Sequence, residues 1–381
     1  MNPTTNAERS ITSLAAMFAE MIDQRKPKGV RYPFHSLLLL LSLAKFCAQD
    51  TPSEIADWVQ HRSAWLQEKL GLQWKRMPSL STWQRLIGAN IDATAWEEKV
   101  GAYFQSLRAE ERQYWNLDGK VVCATRDKET GKQLHLLALQ ESGTNAVVAQ
   151  TALRAGENEI SAAHRLLEQT PLEEKIVSGD AIFAQQALAR QVVEKGGDYR
   201  WKLRANQDSI YRAAQAHFAH GTDKYGEQAT SLEKGHGRID EREILTSFRL
   251  AAAFDFPYLA QVFQITRKSE EVKTGKQSEQ TIYGMTSLPV EEFGAAELLA
   301  GTRKHWSIEN GLHYRRDVTF QEDAVRQTSK AGGRVLATLN NLTIGVLRQL
   351  GWENIAQARR YFNARVEEAL NLLLLPLQPL L

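Results

Sequence analysis

The feature that most constrains this chain is a change of hydrophobic period near residue 114. Ahead of it, apolar residues recur at helical spacing. Behind it, short β-like runs alternate with helical ones, which is the pattern of an α/β domain with a mixed sheet. The N-terminal half of this division, residues 1–110, reads as helices alone. Ile11, Leu14, Phe18 and Met21–Ile22 form one stripe. Leu37–Cys47 forms an apolar helix with Pro33 near its first turn. Thr51-Pro52-Ser53-Glu54 has the Thr cap, early Pro and third-position Glu of a capping box. A helix through Trp65, Leu66 and Leu70 stops at Gly71, and Pro78–Thr82 opens another that carries Trp83, Leu86 and Ile87.

Strands are expected over Tyr114–Thr125, Gln133–Leu139, Ala146–Leu153, Lys175–Asp180 and Asp198–Leu203, with helices over Ser161–Gln169 and Ala184–Glu194. Residues 236–288 hold three further β-like stretches, at Ile239–Leu250, Leu259–Ser269 and Gln277–Met285, and read as a β insertion that begins about residue 225. A long helical stretch follows from Val290 to about Leu350. A C-terminal helical tail, residues 351–381, carries a last helix over Ala356–Leu375. The final apolar LNLLLLPLQPLL is either a helix end docked on the body or a frayed tail.

Composition narrows the function classes. With 381 residues, 43% hydrophobic and 24% charged, the chain can bury a full core and divide into two or three domains. Two cysteines, Cys47 and Cys123, are too few for a disulfide framework or a Cys-rich zinc module. No apolar run reaches the about 20 residues that span a bilayer, and the N-terminus lacks a signal peptide's apolar segment. A cytoplasmic, membrane-free protein is expected. The net charge is only +2, so any grip on nucleic acid must come from local patches.

The row of short N-terminal helices has two readings. As a helix-turn-helix, it would present Ser79, Ser81, Thr82, Gln84 and Arg85 to a DNA groove. As a plain helical bundle, the same polar face meets water. Farther on, Asp118 sits within one expected strand and Asp180 at the carboxyl end of another. Carboxylates are poor strand formers, and at strand ends of an α/β sheet they face the crevice where ligands bind.

The densest chemistry lies in Arg303–Asp317. If helical, it stacks His305, Glu309, His313 and Asp317, each four apart, down one face. A solvated, salt-bridged face explains Glu309 poorly, because Trp306 and Leu312 bracket it. Three carboxylates on two strands and a helix are suited to divalent ions, and oxygen donors alone select Mg²⁺ or Mn²⁺ over zinc. Two such ions activate a nucleophile and stabilise a leaving oxygen in phosphoryl transfer. The competing reading, a zinc site from His305, Glu309 and His313, lacks the H-E-x-x-H spacing. On the strand Tyr199–Arg204, alternation places Arg200, Lys202 and Arg204 on one face. With Arg303, Lys304, Arg315 and Arg316 beside Glu309, they form patches fit for phosphates.

These residues carry a resemblance. The chain resembles bacterial insertion-sequence DDE transposases of the H-repeat-associated type along nearly its whole length. Arg31-Tyr32-Pro33, Glu54–Trp58 and Pro78–Thr82 are similar to that family's N-terminal associated region. Leu117–Lys120 and Gly179–Gln185 resemble its first and second catalytic blocks. Gly197–Tyr199, Asn206-Gln207 and His236–Arg242 resemble its connecting blocks. His305–His313, followed by Asp317–Asp323, resembles the third catalytic block.

The resemblance implies an RNase H-like catalytic domain over 111–350, interrupted by the β insertion and preceded by an all-α region. It implies a triad of Asp118, Asp180 and Glu309 holding two Mg²⁺ or Mn²⁺ ions. DNA is the implied partner, at the element's terminal inverted repeats and at the target. A homodimer on DNA is expected because transposition joins two ends, and the bacterial nucleoid is the expected location. Lys202, Arg204, Arg303, Arg315, Arg316 and Arg85 are the expected DNA contacts, and His305, His313 and Asp317 support the site. The chain departs from the family pattern at Val121–Thr125 and has His305 and Arg316 where relatives often carry Arg and Lys. A nuclease without strand transfer and a non-catalytic DNA-binding remnant are the alternatives.

Overall fold

The computed structural model describes residues 12–107, 112–123, 125, 131, 133–219, 226–235, 237–305, 308–324 and 329–377. Within these, residues 303–305 and 308–310 are described by their backbone alone. Ile11, His236, Trp306 and residues 378–381 of the C-terminal apolar segment, used above, lie outside the described residues.

Residues 14–107 form six α-helices: α1 (Leu14–Ala19), α2 (Phe34–Phe46), α3 (Pro52–His61), α4 (Ser63–Leu70), α5 (Leu80–Arg85) and α6 (Ala93–Leu107). A π-helical turn, Leu86–Asn90, joins the last two. Local chemistry sets their ends. The Thr51 hydroxyl accepts from Glu54 N–H while the Glu54 carboxylate accepts from Thr51 N–H, which starts α3. Gly71, at φ 61°, ends α4 in the left-handed region. The expected stripe on α1 is shorter than its sequence: Leu14 and Phe18 are buried, but Ile22 is 81% exposed because the helix has already ended at Ala19.

The chain then builds one nine-stranded mixed sheet in the order β3-β2-β1-β4-β5-β9-β8-β7-β6. Its first five strands are β1 (Gln113–Val122), β2 (Leu134–Glu141), β3 (Val147–Ala152), β4 (Lys175–Gly179) and β5 (Asp198–Leu203). Helices α7 (Glu159–Gln169) and α8 (Gln186–Glu194) make the crossovers into β4 and β5, so β1, β4 and β5 run parallel. Helix α9 (Asp208–Phe218) follows β5.

The β insertion contains four strands, not three: β6 (Gln228–Gly235), β7 (Arg238–Ser247), β8 (Gln261–Glu271) and β9 (Gln277–Thr286), with the short α10 (Phe248–Ala251) between β7 and β8. Strand β9 pairs antiparallel with β5, so the insertion prolongs the main sheet rather than forming a layer of its own. Strand β6 escapes the sequence pattern because it is a polar edge whose residues are mostly exposed.

The expected helix from Val290 to Leu350 is divided into α11 (Ala295–His305), two π-helical turns (Ile308–His313 and Arg315–Thr319) and α12 (Lys330–Gln349). The last helix is broken at Arg365 into α13 (Ile355–Ala364) and α14 (Val366–Leu374). The C-terminal segment docks: Leu370, Leu373 and Leu377 are buried, and α14 lies against α1 and α2. One apolar cluster runs from Leu14 and Leu40 through Trp96 and Leu139 to Leu342 and Leu370, so N-terminal helices, sheet and C-terminal helices share a core. Among the described residues, no helix is long and apolar enough to cross a membrane.

Candidate active site

Strand register brings the two aspartates together. In the parallel pair β1–β4, Leu117 is opposite Gly179. The next residue after each is an aspartate, Asp118 within β1 and Asp180 just past the end of β4, so the register brings both to the same end of neighbouring strands. They are 62 positions apart in the chain (180 minus 118). Gly179 is required at this point, since a Cβ there would lie 2.9 Å from both the Phe183 and Trp201 rings. Beyond Asp180 the chain turns through Ala181–Phe183, and this turn is braced from β5's exit. Asn206 donates to the Ala181 carbonyl and Gln207 to the Ala184 carbonyl, the second at 2.9 Å.

The next strand over carries the counter-charge. Trp201 is opposite Gly179, which sets Lys202 beside Asp180, and its ammonium donates to Asp180 Oδ1 at 2.6 Å. The expected alternation holds: Tyr199, Trp201 and Leu203 are buried, with the first two rings stacked 5.8 Å apart. On the opposite face, Arg204 is exposed but Arg200 is not. Arg200 is buried, donates to Thr302 Oγ1 at 2.5 Å and lies 5.1 Å from the centre of the Phe263 ring. Burial pulls its guanidinium down to about 10.

A polar tier supports the aspartates from below. Ser178 Oγ donates to Asn116 Oδ1 at 2.5 Å, and Asn116 Nδ2 donates to Ser142 Oγ at 3.0 Å. Gln140 Nε2 donates to Asn145 Oδ1 at 2.7 Å. That asparagine fixes the helix above: a Cβ on Gly311 would fall 2.3 Å from Asn145 Oδ1. The turn Ile308–His313 thus packs closely on β1. One turn of π-helix is a geometry often found at functional sites.

His313 closes this turn with Nδ1 3.5 Å from Asp118 Oδ2. Burial, reinforced by the Arg316 and Lys120 cations, pushes its imidazole down to about 3, so it is neutral near pH 7 and the contact is not an ion pair. Asp118 Oδ1 accepts from the Gly119 N–H at 2.9 Å. Lys120, two residues on and on the same strand face as Asp118, donates to Asp317 Oδ1 at 2.6 Å. The Lys120 contact was not anticipated, although its spacing from Asp118 was the available signal.

The remaining expected residues fall into three groups. The side chains of Glu309, Arg303 and His305 lie outside the described residues, and only the backbone that carries them is placed. Arg315 is half-buried and donates to the Glu353 carbonyl at 3.3 Å, while Arg85 is exposed. Arg316 needs correction as a phosphate contact. It is 1% exposed, and its guanidinium makes three hydrogen bonds of 2.8–3.1 Å to the buried Glu322. The bidentate pair consumes the charge that the sequence offered to DNA.

The carboxylates suit a hard divalent cation. Asp118 is half-buried and Asp180 exposed, and both present only oxygen donors. Among the described residues, no three His, Cys, Asp or Glu side chains cluster around one point. Asp118 and Asp180 supply two carboxylates, and the turn bearing Glu309 lies against the strand of the first.

Two family models match the chain, one described as "Transposase DDE domain" over residues 91–344 and one as "DDE_Tnp_1-associated" over residues 15–104. The chain belongs to the DDE transposase family. Its relatives include the H-repeat-associated type. It is 25% identical over 350 residues to the Escherichia coli O157:H7 protein named "Putative transposase YncI", covering 89% of this chain and 88% of that one. It is 23% identical to "H repeat-associated putative transposase YhhI" of Escherichia coli K12, covering 85% and 87%. A Xanthobacter autotrophicus protein, "Uncharacterized protein in dhlA 3'region", is 33% identical across 55% of this chain and 72% of its own.

Proposed function

We propose that this DDE transposase cuts DNA at the ends of its element and joins the freed ends to target DNA. In the first step a water oxygen attacks the phosphorus at the element's end. The P–O3′ bond breaks, and the strand leaves with a 3′-hydroxyl. In the second, that hydroxyl attacks a target phosphorus and displaces a target 3′ oxygen. Asp118, Asp180 and Glu309 would hold two Mg²⁺ or Mn²⁺ ions. Bound there, the ions supply charge neutralisation at the phosphorus and acidify the attacking hydroxyl.

The chain's own residues do the positioning. Asp118 is held by the Gly119 amide and kept beside a neutral His313. Lys202 balances Asp180 and is a proposed phosphate contact. Arg204, Arg303 and Arg315 are proposed phosphate contacts, His305 and Asp317 support the Glu309 helix, and Arg85 with the N-terminal helices would meet the terminal repeats. A homodimer on DNA would hold both ends, working in the cytoplasm at the nucleoid. The observation that supports the reading is the register of two parallel strands, Leu117 opposite Gly179 with an aspartate one residue beyond each, and the contact of β1 with the turn that bears Glu309.

The test incubates the full chain with labelled terminal-repeat DNA, a target plasmid and Mg²⁺. Joined products are expected from wild type and none from Asp180→Ala. Cleavage without joining would reassign the chain as a nuclease, and a gel shift alone as a DNA-binding remnant. Joining that persists in Asp180→Ala refutes the triad.

A further inference from the structure

The end of α11 is seated by two contacts that the proposed chemistry does not use. At Gly301 the helix lies directly on β1, since a Cβ there would fall 2.7 Å from the Tyr114 hydroxyl. At Thr302 it is held from β5, where Arg200 Nη2 donates to Thr302 Oγ1 at 2.5 Å. Strands β1 and β5 flank β4 in the sheet, so the helix end straddles the strand that leads to Asp180. The Thr302 hydroxyl in turn donates to the Leu298 carbonyl at 3.1 Å, which ties the contact into the preceding turn of helix. The guanidinium has a built seat. It rests 5.1 Å from the centre of the Phe263 ring, and that ring fits because its partner across the strands is Gly284, where a Cβ would fall 2.2 Å from it.

This seat works against the fold. Among the described residues four arginines are buried: Arg200, Arg242, Arg316 and Arg359. Arg242 has Glu233 at 2.9 Å, Arg316 has Glu322 at 2.8 Å, and Arg359 has Asp50 at 2.7 Å. Arg200 has no carboxylate within ion-pair distance among the described residues, and its Nε is buried without a hydrogen-bond partner. Burying a cation with no anion costs stability, and an apolar side chain of similar volume is often as stable or more so. Methionine at position 200 would pack on the Phe263 ring without that cost. A side chain that weakens the fold where it sits is explained by what its one hydrogen bond holds.

We propose that Arg200 is a positioning residue for strand transfer: by holding Thr302 it fixes where α11 gives way to the turn that bears Glu309. The bond joins β5 to α11, and Lys202, two residues along the same strand face, holds Asp180. One strand therefore indexes both the second aspartate and the helix that leads to the third acid. At 5% exposure the guanidinium lies too deep to meet a phosphate, so it acts through Thr302 alone. Misplacing a reacting group by about 1 Å costs about 100-fold in rate. Loss of this bond should therefore be felt in turnover and not in DNA affinity. The role rests on the strand-transfer reading, whereas the seat itself does not.

The experiment compares the full wild-type chain with Arg200→Met, Thr302→Val and the double variant. Joining of terminal-repeat DNA to a plasmid in Mg²⁺ gives the rate at saturating DNA and the DNA concentration for half that rate. Urea denaturation gives stability. Amide hydrogen exchange, measured without metal or DNA, reads the segment 308–319. Arg200→Met should match or exceed the wild-type urea midpoint and exchange faster over 308–319. Its saturating rate should fall about 10- to 100-fold with the half-saturating DNA concentration unchanged. Thr302→Val strands the guanidinium, so its midpoint should fall, and adding Arg200→Met should restore it. In joining, the double variant should be no slower than Arg200→Met, because both changes cut one bond. A wild-type saturating rate in Arg200→Met overturns the proposal. A raised DNA requirement at an unchanged rate makes Arg200 a substrate contact and overturns it too. So does exchange over 308–319 equal to wild type. An Arg200→Met midpoint well below wild type makes the arginine an ordinary structural residue, which is a further refutation. A wild-type chain that joins nothing removes the transposition reading alone, and the amide exchange then decides the seat.

Discussion

Removing the Glu322 carboxylate should cost far more than a surface charge change. Arg316 is 1% exposed and Glu322 6% exposed, and the guanidinium spends Nε and Nη2 on this one partner. Asn340, on α12, donates to Glu322 Oε1 at 3.0 Å, so the pair ties the Arg315–Thr319 turn to that helix. Glu322→Ala leaves a buried guanidinium with no anion. Breaking a buried pair in this way costs about 3–5 kcal/mol. That is a large part of the roughly 5–15 kcal/mol that holds a typical domain folded. Replacing both partners with apolar residues, Arg316→Met/Glu322→Leu, should recover most of the loss, because no charge is left stranded. Urea denaturation followed by far-ultraviolet circular dichroism reads both. A Glu322→Ala cost under about 1 kcal/mol, the level of an exposed pair, would refute the reasoning. So would a double variant no more stable than Glu322→Ala. The double variant should also keep the wild-type salt slope for DNA, since Arg316 does not reach phosphate.

Further outcomes follow from close contacts and from the cysteines. Gly179→Ala places a Cβ 2.9 Å from two rings in the strand that delivers Asp180, and joining activity should fall about 10- to 100-fold in a strand-transfer assay. Gly101→Ala drives a Cβ to 2.5 Å from the Val148 carbonyl, where α6 rests on β3, and should destabilise the fold by about 1–3 kcal/mol in urea. Cys47 is buried, with its thiol pushed up to about 12, whereas Cys123 is exposed. A chromogenic disulfide reagent should titrate one thiol in the native chain and two in denaturant. Burial and the Asp323 carboxylate raise the Cys123 thiol as well. Its labelling rate should therefore keep climbing above the ordinary thiol range near pH 8.5, because only the thiolate reacts.

The sequence was most legible where local chemistry decides structure. The Thr51–Glu54 cap, the Gly71 stop and the alternation along Tyr199–Leu203 all follow from residue types at fixed offsets. Asp118 and Asp180 were separately conspicuous as acids in apolar strands. Their adjacency was not legible, because it depends on the Leu117–Gly179 register across a crossover. Strand β6 lacks an apolar face, so nothing in Gln228–Gly235 announces it; its order comes from pairing along β7. The breaks in the Val290–Leu350 helix were hidden because a π-helical turn bonds five residues along instead of four, a local widening that no residue type in this segment announces. Arg316 misled for a related reason: a basic residue in a basic run gives no hint of a partner six positions later that draws it inside.

The sheet order has a mechanical consequence. Strand β9 hydrogen-bonds directly to β5, whose Lys202 touches Asp180, and β8, β7 and β6 continue outward from it without a seam. The far hairpins are thus the rim of the same plate that carries the acids, not an appendage on a hinge. A body leaning on that rim would tilt the whole platform, and its bearing relative to the two aspartates would be fixed by backbone geometry alone.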